Sequence, residues 1–409
     1  AIYNSNILIF LYIIILSYNK SIEIIGFTVY IRRFTIMSKQ LAPFHFDIVG
    51  SFLRPAELKE AREAFNKGNI TREELTAVED RLITDLIQKQ KAAGLPVITD
   101  GEFRRAYWHL DFMWGFNGVK EIELEHGYKF HGQETAPGSL ALTGKITGTN
   151  HPFVEHFKFV KQFEDENTTA RQTIPAPSQF LAELFREDNG ITTRSFYPDL
   201  EELIQDIAAA YRQVIKDLYD AGCRNIQFDD CTWGMCCDHA YWTGRQKDKS
   251  VTIEGETAKY LRLNNLALEG RPHDLAFTTH VCRGNYNSTW AASGGYEPIA
   301  PILFAKENVD AYYLEFDDDR SGGFEPLREV SPNKKVVLGL ITSKRPELED
   351  KEVIKERIKE ATKYIPLERL CLSPQCGFAS CEIGNQLTEE EQWAKLALVK
   401  EIAHEVWGD

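Results

Sequence analysis

Eight short apolar runs, each followed by an amphipathic helical pattern, predict an α/β protein folded as a (β/α)8 TIM barrel with a β-hairpin insertion after strand two. Three observations carry that prediction. The runs are apolar throughout rather than alternating, as strands of a parallel sheet covered on its outer face must be. The stretches between them repeat apolar residues at helical spacing. No low-complexity linker divides the chain, since Ser321-Gly322-Gly323 and Ser331-Pro332-Asn333 read as loops.

Taken in order, the predicted strands are His45 to Phe52, Pro96 to Glu102, Arg171 to Pro175, Asn225 to Asp230, Leu275 to Cys282, Asp310 to Phe316, Lys335 to Thr342 and Arg369 to Pro374. After the second, the stretch from Lys120 to Gly148 reads as a β-hairpin excursion over the barrel mouth. Leu203, Ile204, Ile207, Ala208, Tyr211, Val214, Ile215 and Leu218 place one apolar stripe on a helix, and Val353, Ile354, Ile358, Ala361 and Ile365 repeat the pattern. The last helix opens on a capping box, Thr388 with Glu391, and buries Trp393, Leu396 and Val399.

The 409 residues carry a formal net charge of −14, which argues against nucleic acid or an anionic membrane as the main partner. Residues 1–36 differ in composition from the rest. Their apolar run, Ile7 to Leu16, is too short to span a bilayer and lacks the flanks of a signal peptide. They read as a non-native or disordered extension preceding a natural start at Met37, with residues 37–409 as a single catalytic barrel domain. Lys20, Arg32 and Arg33 against Glu23 give the extension +2, so the body carries −14 − 2 = −16. Eight scattered cysteines indicate reduced thiols and a cytoplasmic protein rather than a disulfide framework.

Strand five ends in Thr279-His280-Val281-Cys282, an imidazole and a thiol on one face of an extended chain about 6 to 7 Å apart. Alone, the pair is weak evidence. Strand six ends in Glu315, however, and Cys376 follows strand eight. In a barrel of this type the C-terminal strand ends share one face, so all four meet there, and this donor set suits Zn2+. Other polar groups belong to the same face: Gly50-Ser51 after strand one, Glu102 after strand two and Asp229 after strand four. Gly50 lets a ligand approach the backbone, whose N–H groups at Ser51 can hold a carboxylate, while Glu102 and Asp229 can hold an ammonium. Taken singly, each carboxylate reads more readily as part of a solvated rim pairing with Arg104, Arg105 or Arg320. Together with a thiophilic metal they describe a pocket for an amino acid bearing a thiol. Cys231, Cys236 and Cys237 read as packing thiols before they read as a further metal site.

These residues resemble the C-terminal catalytic barrel of the cobalamin-independent methionine synthase family. The resemblance covers Phe44 to Trp407 and is anchored by Ile48-Val49-Gly50-Ser51-Phe52, Gly101-Glu102-Phe103, Ile226-Gln227-Phe228-Asp229, Thr279-His280-Val281-Cys282, Leu314-Glu315 and Pro374-Gln375-Cys376-Gly377. It implies zinc on His280, Cys282, Glu315 and Cys376, and homocysteine on Ser51, Glu102 and Asp229. Glu315, as an exchangeable ligand, and Asp229 are then the expected catalytic residues. The implied reaction moves a methyl group from 5-methyltetrahydrofolate, with a polyglutamate tail met by Arg104, Arg105 or Arg345, to the homocysteine thiolate. Three departures concern the donor: there is one barrel rather than two, Leu340-Ile341-Thr342-Ser343-Lys344 replaces the family's strand-seven histidine segment, and Phe180 and Phe185 stand where a tryptophan is expected. Lys344 or His109 could replace that histidine as proton donor. The family's Asp-Glu-Pro is Asp229-Asp230-Cys231 here. Alternatives are a thiol methyltransferase using a corrinoid or other non-folate donor, a uroporphyrinogen-decarboxylase-like enzyme, and a non-catalytic zinc barrel that binds thiols.

Overall fold

A computed structural model describes residues 41–245 and 251–408; the expectation for residues 1–36 lies outside them. The strands in chain order are β1 (Val97–Ile98), β2 (Asn117–Glu123), β3 (Lys129–Phe130), β4 (Gln133–Glu134), β5 (Gly138–Thr147), β6 (Thr169–Ala170), β7 (Gln172–Pro175), β8 (Asn225–Asp230), β9 (Ala276–Val281), β10 (Ala311–Glu315), β11 (Lys335–Ile341) and β12 (Leu370–Pro374). From β7 to β12 each strand pairs in parallel with the next, in sequence order. β6, one residue before β7, pairs in parallel with β1. Every residue of β8, β9 and β10 is buried, including the polar Asn225, Gln227, Asp229 and Asp230 of β8 and Thr278, Thr279 and His280 of β9, so these strands are covered on both faces without being apolar throughout.

The first predicted strand is the exception. Phe46 makes a single parallel bridge to Leu372 of β12, with Asp47 N donating to Leu372 O at 3.0 Å and Leu372 N to His45 O at 2.9 Å. Further on, Phe52 N donates to Gly101 O at 3.1 Å and Thr99 Oγ1 to Gly50 O at 2.7 Å. Hydrogen bonds thus carry the barrel order from the eighth strand through this segment to the second, although no regular ladder forms. The cause is local. Asp47 accepts from the backbone N–H of Phe44 and Ile48, and Gly50 sits at φ +146°. The same Asp47 pairs with Arg171 at 2.9 Å and accepts from Tyr313 Oη at 2.8 Å, a fully buried plug across the barrel interior.

The expected helical stripe from Leu203 to Leu218 is buried on the helix Leu200–Asp220, each large aliphatic contributing about 1.5 to 3 kcal/mol. The Thr388–Glu391 capping box heads the final helix, Glu389–Trp407, and a second one, Thr71 with Glu74, heads the helix Arg72–Ala92. Among the described residues no helix is long and apolar enough to cross a membrane.

The excursion after strand two is a hairpin, β2 paired antiparallel with β5, and carries a smaller hairpin of β3 and β4 turned at Gly132 (φ +74°). Its base is fixed by Phe116 stacked on Phe180 with centroids 5.2 Å apart. The tip reaches the loop after β9, where His131 N donates to Trp290 O at 2.8 Å and Phe130 packs on Tyr286.

Candidate metal centre

His280 is the penultimate residue of β9 and Cys282 lies one residue past its end; β10 ends in Glu315; Cys376 lies two residues beyond β12. Parallel pairing aligns the three strands, with Tyr313 opposite His280 and Glu315 opposite Gly339. The donor atoms of His280, Cys282, Glu315 and Cys376 all lie within 4.8 Å of one another, and all four residues are buried. The Cys282 and Cys376 sulfurs are 3.8 Å apart. That is far beyond a disulfide bond, and it matches two sulfurs each about 2.3 Å from one tetrahedral ion, which sit about 3.8 Å apart.

The imidazole is set for the same purpose. His280 Nδ1 faces the Tyr313 carbonyl at 3.2 Å; a carbonyl can only accept, so Nδ1 carries the proton. Nε2 is left as a lone-pair donor, buried without a hydrogen-bond partner. A metal-bound histidine is oriented by an outer carbonyl in this way. Crowding two thiols into one buried space is costly to their charged forms. Hydrogen bonding from Cys231 pushes the Cys282 thiol well up, and hydrogen bonding from Cys282 together with burial does the same to Cys376. A divalent cation removes that cost, so the donor set fits a metal.

The second group of expected residues is also assembled. Glu102 adopts φ +62°, a strained conformation for a residue with a Cβ, and its Oε1 accepts from Thr173 Oγ1 at 3.1 Å and pairs with Arg105 at 3.2 Å. Its Oε2 is buried with no partner. Asp229 accepts from Gln227 Nε2 at 2.8 Å. Burial raises the pKa of both carboxyls, and the Glu102 charge raises Asp229 further. An unpartnered carboxylate oxygen beside a second carboxylate suits an ammonium. Gly50 is required, because a Cβ there would lie 2.9 Å from Thr173 Cγ2. Ser51 touches the metal loop directly: its Oγ accepts from Ala379 N at 3.3 Å and its carbonyl from Phe378 N at 3.0 Å.

Other expected residues stand elsewhere. The Arg104 guanidinium is engaged by Glu79 and Asp80 of the helix Arg72–Ala92, not by the carboxylate pair. Arg105 is buried against Glu102 and Thr173, where it positions Glu102. His109 hydrogen-bonds Tyr128 Oη at 2.8 Å within a network through Glu183, and burial lowers its pKa to about 3, so it is a neutral anchor of the excursion. Phe180 is core, Arg345 is exposed, and Asp230 is spent on Ser178, Thr232 and Asn264.

Three residues were not singled out from the sequence. Asn285 and Ser343 donate to the Gly377 carbonyl at 2.8 and 2.9 Å, and Asn385 donates to Asn285 Oδ1 and Ser343 O. Together they hold the loop that presents Cys376. The Asn285 side of this network had a sequence signal, lying three residues after Cys282; Asn385 had none.

Comparison with known proteins gives concordant results. The family model described as cobalamin-independent synthase, catalytic domain, matches residues 45–128 and 160–405. The uncharacterized protein YxjH of Bacillus subtilis is 46% identical over 370 residues, covering 90% of this chain and 95% of that one. A methionine synthase of Saccharolobus solfataricus is 25% identical, over 81% of this chain and 86% of its own length. Among solved structures, a Listeria monocytogenes protein provisionally assigned as a vitamin-B12 independent methionine synthase superposes with a TM-score of 0.71 at 39% identity, covering 91% of this chain and all of that one. A B12-independent methionine synthase from a Shewanella species, in complex with selenomethionine, shares the fold at a TM-score of 0.68 and 20% identity, over 89% of this chain and 98% of its own.

Proposed function

This chain belongs to the cobalamin-independent synthase catalytic-domain family, a methionine synthase-like family of enzymes, and from that premise we propose that it is a zinc-dependent methyltransferase that converts homocysteine to methionine. The observation that carries the reading is the buried cluster of His280, Cys282, Glu315 and Cys376, with its sulfurs 3.8 Å apart and His280 Nε2 free. Zinc held there lowers the pKa of a coordinated thiol, so that the acceptor is a thiolate near neutral pH.

The remaining work falls to the chain itself. Glu102 Oε2 and Asp229 take the acceptor's ammonium, and the backbone at Ser51, opened by Gly50, takes its carboxylate. Arg105 and Thr173 keep Glu102 in place. Fixing both ends of the amino acid aims its sulfur at the methyl carbon. In the transfer a C–S bond forms as the bond from the methyl carbon to the donor nitrogen breaks; the electron pair stays on that nitrogen, which takes a proton. 5-Methyltetrahydrofolate is the donor we assign, with the exposed Arg345 available to a glutamate tail. Arg104, already paired, is not assigned to it. The scattered cysteines without a disulfide framework support a cytoplasmic enzyme.

A second reading, transfer from a corrinoid or other non-folate donor, is favoured by one observation. The strand-seven histidine of the family is absent, and His109 is a neutral anchor that does not supply a proton in its place.

The test has two parts. Purified protein is expected to hold about one zinc, lost in His280→Ala and in Cys376→Ala. Methionine formation is then assayed with methylfolate and methylcobalamin in parallel; activity with methylcobalamin alone sinks the folate assignment, and a wild type without zinc sinks the thiolate chemistry.

A further inference from the structure

Of the four metal-facing residues, Glu315 is the one that cations also claim. Its Oε2 accepts from Arg320 Nη2 at 2.6 Å and lies 4.0 Å from Lys344 Nζ, while its Oε1 accepts from the Arg283 backbone N–H at 2.8 Å. Asp317, two residues on, lies 3.0 Å from Arg320 and 3.9 Å from Lys344. The side chains of Glu315 and Asp317 are fully buried and those of Arg320 and Lys344 nearly so, so these charges are weakly screened. Lys344 Nζ makes no hydrogen bond. Arg320 also pairs with the partly exposed Asp318 and lies over the Trp290 ring at 5.5 Å, which fixes its guanidinium from the outer side.

Counting charge shows what this arrangement can do. Zn2+ with two thiolates, one carboxylate and a neutral imidazole carries −1, and a substrate thiolate added to that set makes it −2. If Glu315 leaves as the thiolate arrives, the centre keeps −1. The departing carboxylate then keeps Arg320 and Lys344, two cations that it shares with the buried Asp317 and, at Arg320, with the partly exposed Asp318. We infer that Arg320 and Lys344 form a cationic seat that receives Glu315 when the acceptor thiolate takes its place on the metal, making them positioning residues for thiol exchange. The inference rests on the zinc–thiolate reading. It also gives a role to Lys344 and Arg320 that requires no loop movement, since the carboxylate already touches both the cluster and the seat.

Cobalt(II) in place of zinc makes the exchange visible through sulfur-to-cobalt absorption. Wild type is expected to hold one cobalt and to gain absorption on titration with L-homocysteine as sulfur ligands rise from two to three. Arg320→Gln and Lys344→Gln are expected to keep cobalt but to bind homocysteine at least about tenfold more weakly, because the carboxylate has lost its partner. Arg320→Lys should restore most of the affinity. In a Glu315→Gln background, where no charge needs a seat, the Arg320→Gln effect should vanish. Homocysteine binding unchanged in both neutral variants overturns the seat, as does a loss equally large in the Glu315→Gln background. If wild type takes up cobalt but shows no new sulfur band with homocysteine, the zinc–thiolate reading falls and the seat with it. Should Arg320→Gln not fold, Lys344→Gln carries the same test.

Discussion

At the scale of single residues the site is a set of charges placed where water cannot reach them, and each placement has a consequence that can be measured. Burial holds Asp229 and Glu102 above the usual carboxylate range. In the proposed binding mode an ammonium between them favours their charged forms, so binding an amino acid is expected to release protons from the site. Free site therefore binds more protons than occupied site, and affinity must rise with pH through their titration, by at most about tenfold per pH unit for each proton released. L-Methionine is the suitable probe, because its thioether does not titrate. Calorimetry from pH 5 to 8 should show this rise in wild type and a flattened profile in Asp229→Asn. An identical slope in the variant would remove the carboxylate pair as the ammonium site. The four candidate metal ligands were legible in the sequence because each lies at or just beyond the end of a predicted strand. Arg104 was not, since a nearby arginine and a paired arginine look alike until the helix carrying Glu79 and Asp80 is packed beside it.

Elements decide whether those residues meet. The loop after β12 carries Cys376 and packs on the loop after the first strand segment, where Phe378 and Ala379 donate to Ser51 and Gly377 faces the Ser51 side chain. A Cβ on Gly377 would collide with Ser51 Oγ and lie 3.1 Å from Ser51 N, so one loop must move. Gly377→Ala is expected to destabilise the protein by about 1 to 3 kcal/mol and to weaken zinc retention, read by thermal melting and metal analysis. Normal zinc content and melting would mean that the two loops are not coupled. The excursion after strand two was legible as a hairpin from its pattern, but its inner turn and its contact with Trp290 were not. The first strand misled for a physical reason: its apolar pattern is that of a strand, while Asp47 satisfies the local backbone N–H groups in place of a ladder.

Across the whole molecule, the candidate metal ligands come from the fifth, sixth and eighth strands, so an ion bound there would tie together parts of the barrel distant in sequence. A ligand that binds only the folded state stabilises it by mass action, about 4 kcal/mol at a thousandfold excess over its dissociation constant. Chelating the metal should therefore lower the melting temperature by several degrees, reversibly on adding zinc back, while Cys376→Ser should melt at the lower temperature and ignore the chelator. A melting temperature indifferent to chelation in wild type would show that the cluster holds no metal in the folded protein.

The sequence by itself determined the periodicity of the elements, the parallel order they imply and the chemical types at the strand ends. Those follow from short-range rules: burial on both faces of a strand, one stripe per helix and a cap at its start. Tertiary structure alone decided which groups became partners: Arg105 rather than Arg104 for Glu102, Arg320 and Lys344 for Glu315, and Asn285 and Ser343, held by Asn385, for the Gly377 carbonyl. Electrostatic pairing depends on distances of a few ångströms between residues far apart in the chain, and only packing sets those distances.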